Sequence, residues 1–512
     1  MSLDEMLRDS GAHPWPVLSM LVLGPALALL GGLLFRPVGR RKRVPIGQRV
    51  FAGISLLLGL CVCTFGVLVL VQRREVITKL AATFVDLDVE STEKLERLKD
   101  VSIDESKLVS TDDWPQWLGP RRNGTSPFKG LRPSWAERPP KVVWKQPIGG
   151  GFSSIALAGG RLYTLDKKEK DNHERVVCLD AATGKELWNY AYQVDYGGMG
   201  FGNGPRASPA VAGGRVYSVG ATGAFLCLDA APPEGRPVLR WRHDLLKEFD
   251  AALLGWGMAC SPLVDGDLVY VQPGGKAGTV AAFRCDTGKL AWAALSNPPG
   301  YSSPVAMTVA GIRQIVCFTS KGLDGFAARD GNHLWHFDWP TAYDANIATP
   351  IVFNQYVFIS SGYNAGCALL EIAADGAGKF QAEPVYLKRR RLMRNHHATC
   401  VLARGNLYGF DTGANSGQGP DALKCVDLRT GRDQWVTGRI KKGCLIEADG
   451  RLIILSQDGT LSLVAAAPEG FVLEGQMQNV LRGSDCWALP ALSAGRLYLR
   501  DHHHVVCLDL RK

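Results

Sequence analysis

SPAVAGGRVYSV (Ser208–Val219), FLCLDAA (Phe225–Ala231) and VLRWRHD (Val238–Asp244) follow one another as a single unit, and that unit recurs to the end of the chain. Each copy opens on small residues and an apolar strand ending near Tyr. A strand closed by Asp and a Gly turn comes next, then a strand carrying Trp. The opening strands fall at Ser153–Leu165, Ser208–Val219, Ser261–Val271, Ser303–Phe318, Thr349–Ile359, Thr399–Phe410, Gly443–Leu455 and Leu489–Leu499. Their starts lie about 40–55 residues apart, the spacing of propeller blades and not of helical solenoids. Alternating apolar residues, β-branched and aromatic enrichment and Gly-rich turns make each unit a run of short antiparallel strands. The pattern predicts an all-β, eight-bladed β-propeller over residues 113–512.

Closure of the ring follows from a missing piece. After VVCLDL (Val505–Leu510) only Arg511 and Lys512 follow, so the last unit is expected to lack its own Trp strand. VVWKQPI (Val143–Ile148) supplies one ahead of the first unit. An unpaired strand edge invites aggregation, and borrowing an N-terminal strand removes it. Blade eight is therefore expected to be built from both ends of the repeat region.

Most recurring residues are read as scaffold, because in a repeat array they form the interfaces between units. Trp144, Trp188, Trp241, Trp292, Trp335 and Trp435 fall on outer strands, where a large ring packs between blades. In the turns Asp180–Gly184, Asp427–Gly431 and Asp286–Gly288, Asp bonds backbone amides and Gly takes positive φ. Gly184-Lys185 and Gly288-Lys289 are not followed by Ser or Thr, which excludes a phosphate loop. Of thirteen Cys, five (Cys178, Cys227, Cys285, Cys425 and Cys507) take nearly the same place in their units, as a small buried hydrophobe does. The spacing predicts separated thiols, with neither haem-type nor zinc-type cysteine pairs.

Upstream the composition changes. Trp15–Phe35 and Val50–Val71 carry no charge, and each is long enough to span a bilayer. Arg36, Arg40, Arg41, Lys42, Arg43 and Arg49 lie between them and mark a cytoplasmic loop. The expected order is a short segment over 1–14, a transmembrane helical hairpin over 15–71 (spans 15–35 and 50–71), a stalk over 72–112, and the propeller. That orientation places the propeller on the periplasmic, extracytoplasmic side of the inner membrane. In the stalk, Val76, Leu80, Phe84, Leu95 and Leu98 fall at near-helical spacing, as in a continuation of the second span. The net charge of +9 owes much to the membrane loop and to KRRRLMR (Lys388–Arg394), and no nucleic-acid motif accompanies it.

DWPQWLGPRRNGTS (Asp113–Ser126), followed by repeats of the form CLDAATGKELW (Cys178–Trp188), resembles the pyrroloquinoline-quinone-type (PQQ-like) propellers of bacterial envelope proteins. That group includes quinoprotein alcohol dehydrogenases and the propeller lipoprotein of the outer-membrane β-barrel assembly machinery. The resemblance runs from Asp113 to the last residue and is specific for the repeat type, whereas one fold carries many functions. It implies two readings. A quinone-dependent dehydrogenase would oxidise alcohols or sugars using PQQ, an adjacent cysteine pair over the cofactor, and calcium held by carboxylate and Asn oxygens. This chain has no adjacent cysteines, and no such ligand set matches the family positions. The preferred reading is a non-catalytic binding or scaffolding platform for an envelope protein, peptide or polysaccharide, with no cofactor, no metal and no catalytic residue.

Propeller geometry says where a partner would bind. The segment leading into each innermost strand faces the central channel, so eight segments converge on one mouth. They carry Asn203, Arg206, Trp256, Tyr301, Ser303, Asn346, Arg394, Asn395, His396, Lys442, Asp485 and Trp487. Aromatic rings interleaved with Arg, Asn and His suit sugars, planar ligands or extended peptide. His502-His503-His504 is read as a solvent-exposed loop between the last two strands; a metal there or at His396-His397 would need three or four ligands in fixed geometry, and none is expected at either.

Overall fold

Each repeat folds into its own antiparallel sheet, and eight such sheets follow one another along the chain. The computed structural model describes residues 88–99, 101, 112–135, 138–168, 172–202, 204–375, 378–413 and 421–512. The expected spans at 15–35 and 50–71 lie outside these residues. Among the described residues no helix is long and apolar enough to cross a membrane.

A blade has four strands, one more than the repeat pattern predicts. In the second blade they are Ala210–Ala212, Arg215–Val219, Ala224–Asp229 and Leu239–Asp244. The apolar run at the start of each unit is thus a hairpin and not one strand. Gly213 and Gly214, at φ 56° and 73°, make the reversal that side chains with a Cβ resist. The ring closes as expected: Lys141–Pro147 pairs antiparallel with His504–Asp509, setting Trp144 opposite Cys507.

The recurrent Tyr, Cys and Trp have one purpose. Tyr217, Cys227 and Trp241 are cross-strand neighbours on successive strands, as are Tyr163, Cys178 and Trp188. Tyr163 Oη (3.0 Å) and Trp188 Nε1 (3.4 Å) then donate to a single acceptor, Ala230 O, in the next blade. Tyr498 and Trp144 repeat this on Ala181 O, each at 3.1 Å, across the closure. The Cys keeps the middle strand thin enough for both rings to lean outward. Trp144, Trp241 and Trp292 also cover the turn glycine of the next blade. A Cβ on Gly184 would stand 2.6 Å from Trp144, and one on Gly288 2.6 Å from Trp241.

A hydroxyl relay ties the innermost strands together. Ser154 N donates to Ser208 Oγ, Ser208 N to Ser261 Oγ and Ser261 N to Ser303 Oγ, at 2.9–3.0 Å. Leu489 N donates to Ser154 Oγ at 2.7 Å, carrying the relay across the closure. Ser208, Ser261 and Ser303, which open their units, are three of these hydroxyls. They satisfy backbone donors that would otherwise be buried without partners.

Two N-terminal pieces dock on this ring. Val89–Glu90 adds a fifth strand to the fifth blade, opposite Leu387 and Tyr386, and the helix Thr92–Lys99 buries Leu98 against the same blade. Glu90 and Asp88 pair with Lys388, Asp88 with Arg391, Lys94 with Glu383, and Arg97 with Glu371 at 3.1 Å. Part of the expected stalk is therefore fastened to the propeller, and the basic run at 388–394 has acidic partners. Strand pairing with a distant edge leaves no trace in the helical spacing from which the stalk was read.

Asp113–Ser126 is the second piece. Trp114 pairs with Leu157 of the first blade, Pro115 O accepts from Val211 N of the second, and Trp117 Nε1 donates to Thr349 Oγ1 of the fifth. A Cβ on Gly124 would lie 2.4 Å from Val401 of the sixth. Thr125–Ser126 runs parallel to Gly443–Ala448 of the seventh. Arg122, 6% exposed, donates to Ser261 O (2.7 Å), Pro262 O (3.0 Å) and Pro304 O (2.6 Å) of the third and fourth. Only a segment on the ring axis reaches the innermost strands of so many blades. This segment plugs the channel from one end.

Candidate functional site

The opposite end of the channel is covered by rings. Phe152 stacks on Trp487 (centroids 5.2 Å apart), Trp487 on His397 (4.6 Å), and His397 meets His396 (5.2 Å). His396 meets Tyr363 (5.0 Å), which lies parallel to Trp256 (6.1 Å), and Trp256 meets Tyr301 (5.3 Å). Phe201 and Tyr343 extend the group at its two ends. These contacts skip blades. Trp487 of the eighth blade touches His397 of the sixth and Phe201 of the second; Trp256 of the third touches Tyr363 of the fifth. Rings from blades that are not neighbours meet only near the axis, so this is a lid over the channel. Phe201 (52% exposed) and Tyr343 (68%) project from it into solvent.

Of the mouth residues expected from sequence, Arg206, Trp256, Tyr301, His396 and Trp487 belong to this lid. The Arg206 guanidinium lies over the Phe152 ring and donates to Gly200 O (2.7 Å) and Phe201 O (2.6 Å), holding the loop that carries Phe201. Asp485 is half-buried beside Trp487 and accepts its backbone N–H at 2.8 Å. Lys442 is 8% exposed in the lead-in to the seventh blade. Asn203 lies outside the described residues.

Four others are built into the wall. Ser303 belongs to the hydroxyl relay. Asn346 is fully buried, donating to Thr319 O (2.8 Å) and Trp339 O (3.0 Å). Asn395 donates to Phe410 O at 3.1 Å. Arg394 forks onto Asp411 at 2.6 and 3.0 Å, and Lys424 joins that carboxylate at 3.1 Å.

Phe152, Phe201, Tyr343, Tyr363, His397 and His502 were not singled out as mouth residues. SSGY (Ser360–Tyr363) and the Gly-rich lead-ins to Phe152 and Phe201 were the available signals. His502 corrects the solvent-loop reading of its run: it is half-buried, edge-on to Phe152 at 4.7 Å, and its Nδ1 accepts from Gly151 N at 3.2 Å. Beneath the Phe201 loop Glu174 is fully buried, accepting from Tyr192 and Tyr196 (2.5 Å each) and Ala221 N (3.1 Å). Burial raises its carboxyl above the ordinary range against the pull of those donors.

The electrostatics of the lid are those of neutral rings. Burial, with Lys442 adding to it, pushes His396 down to about 4; burial, then His396 and Lys442, hold His397 well below the ordinary histidine range. His336, on the outer strand of the fourth blade, shows the reverse. Its hydrogen bond to Asp324 (2.8 Å) lifts it to about 9. A histidine raised in the folded state stabilises when protonated. Wild type is therefore expected to exceed His336→Gln in stability below pH ~6.5, the free histidine value, and to lose that margin as pH rises through about 9. Urea titrations of both chains at several pH values check this.

A quinone held with calcium does not fit the residues present. The sequence has no Cys-Cys pair. Among the described residues no group of three or more His, Cys, Asp or Glu is placed to hold a metal, and the buried Glu174 is occupied by its two tyrosines.

No curated protein matches the sequence. Among solved structures, the quinohemoprotein alcohol dehydrogenase ADHIIG from Pseudomonas putida HK5 superposes with a TM-score of 0.54 at 14% identity, covering 80% of this chain and 83% of that one. BamB from Moraxella catarrhalis superposes with a TM-score of 0.49 at 13% identity, covering 72% of this chain and 97% of that one. At such identity the dehydrogenase likeness speaks to the propeller fold alone. A family model described as outer membrane protein assembly factor BamB matches residues 135–231 and 172–437. With more than half of the sequence under that match, in the repeats that build the ring, the chain belongs to this family of PQQ-like propellers.

Proposed function

We propose that this chain is a non-catalytic binding platform of the cell envelope, held to the inner membrane by its two apolar N-terminal spans with the propeller on the extracytoplasmic side. The lid carries the reading. Large, stiff, half-buried rings with Phe201 and Tyr343 standing proud are the kind of surface on which partners anchor, because such side chains bury much area at little entropic cost. Membership of the BamB-type family supports an envelope protein as the partner, with a peptide or polysaccharide fitting the same chemistry. The basic loop at 36–49 supports the orientation. The plug leaves the lid face as the accessible end of the channel, and the fastened segment at 88–99 ties the ring to the chain that leads to the membrane.

The double substitution Phe201→Ala with Tyr343→Ala tests the platform. Both rings are largely exposed, so the fold is expected to lose under about 1 kcal/mol. Binding is expected to weaken by about 2 kcal/mol or more, the scale of an anchor pair. In native gels of solubilised membranes the variant should run as the free chain where wild type runs in a complex. An unchanged complex removes the lid from the interface.

A further inference from the structure

Beneath the lid, one sector of the channel carries polar groups without partners. Trp487 Nε1 and His397 Nε2 are buried and make no hydrogen bond among the described residues. Their rings are stacked at 4.6 Å. Lys442 is 8% exposed, and its ammonium has neither a carboxylate nor a hydrogen-bond acceptor among the described residues. It is near enough to both His396 and His397 for its charge to act on them. The contrast with other cations of the ring is plain: Lys424 has Asp411, Arg394 has Asp411, Lys388 has Glu90, and Lys441, next in sequence, has Asp458 at 2.8 Å.

A buried indole N–H without an acceptor costs free energy, and the Lys442 ammonium brings to the same sector a positive charge with no carboxylate set against it among the described residues. The cost disappears if an acceptor-rich anion occupies the space. Indole Nε1 is a donor in every protonation state, and an ammonium is donor only. His397 sits in the lead-in to the sixth blade, Lys442 to the seventh and Trp487 to the eighth, so the three come from consecutive blades around one sector. The lead-in to the seventh blade brings a cation where its neighbours bring rings.

We infer that Lys442, Trp487 and His397 form a binding site for a compact oxyanion, a carboxylate or a phosphate group, seated under the aromatic lid. The inference rests on the lid being the binding face, and it names the chemistry of what enters: an anionic group flanked by apolar or planar surface. Lys442 supplies the charge, Trp487 Nε1 a fixed donor, and His397 the base of the stack.

The test titrates the full-length chain in detergent with sodium acetate and, separately, with inorganic phosphate, at constant ionic strength made up with chloride. Tryptophan emission and calorimetry are the readouts. Trp487→Phe keeps the stack on Phe152 and His397 and removes the donor; Lys442→Met keeps the length and removes the charge; Lys442→Arg keeps the charge. A saturable signal in wild type is expected, weakened about tenfold or more in Lys442→Met and in Trp487→Phe and kept within about threefold in Lys442→Arg. Response to acetate alone assigns a carboxylate, response to phosphate alone a phosphate group, and response to both an unselective oxyanion site. No saturable signal with either probe overturns the inference, as does a Lys442→Met chain that binds like wild type. Should Lys442→Met fail to fold, calorimetry on Trp487→Phe decides in its place. The titration uses no partner, so its failure leaves the Phe201 and Tyr343 result standing, and a failed partner test leaves the titration standing.

Discussion

Deletion of Lys141–Pro147 from the full-length chain is expected to abolish cooperative folding of the ring. The strand is mostly exposed, with Val142 at 56% and Val143 at 40%, so it contributes little by general burial. Its value lies in three particular contacts. It completes the ladder on His504–Asp509, it seats Trp144 over Gly184 of the first blade, and it donates from Trp144 Nε1 to Ala181 O at 3.1 Å. Loss of one well-packed Trp costs about 3–5 kcal/mol, and whole domains are stable by only about 5–15 kcal/mol. The ladder lost with it takes most of what remains, and the exposed edge of Val505–Leu508 then favours association. Circular dichroism melts and limited proteolysis of the deletion chain check this. A melting midpoint within about 3 °C of wild type would show that the ring does not depend on its split blade.

Arg122→Met is expected to destabilise the protein by about 3–5 kcal/mol, and Arg121→Met by under about 1 kcal/mol. Arg121 donates to Thr125 Oγ1 at 2.9 Å from a half-buried position. Arg122 reaches three backbone carbonyls of the third and fourth blades from full burial, which pulls its guanidinium down to about 10 without discharging it at neutral pH. Substitution by Met leaves those carbonyls facing an apolar chain with no water to replace the lost donors. Denaturant midpoints of the two variants measure the difference. Equal effects would mean that the plug is not held by Arg122.

The architecture was legible because its determinants recur. Tyr, Cys and Trp recur together at set offsets in four blades and report a contact made with the next blade, and the absent last Trp strand points directly to Val143–Ile148. The plug was legible only as a motif. Asp113–Ser126 carried the family resemblance, yet nothing in its composition says that Arg122 ends on Ser261, Pro262 and Pro304, because those partners lie 139 to 182 residues away. The fastening of Val89–Glu90 was hidden for the same reason: two residues of strand pairing with a distant edge have no period. Topology alone places Trp256, Tyr301, His396 and Trp487 in the lead-ins that converge on the channel, and the structure sets these four rings in the lid. Phe201 and Tyr343 escape the pattern because they sit farther ahead of their strands, Ala210–Ala212 and Ile351–Phe353, than the other rings of the lid, and lead-in length varies from blade to blade. Asn346 and Asn395 were named as mouth residues for their polarity, and the structure shows them bonding backbone carbonyls in the wall.

The most direct test of the lid as the binding face is position-resolved photo-cross-linking of the full-length chain in its native membrane. A photoreactive side chain at Phe201 or Tyr343 reports from the lid. One at Val436 (51% exposed) or Leu290 (45%) reports from an outer strand of comparable exposure. The same discrete adduct is expected from both lid positions and none from the outer strands. Adducts from Val436 or Leu290, with none from Phe201 and Tyr343, would contradict it and move the working surface of this protein to the rim of its blades.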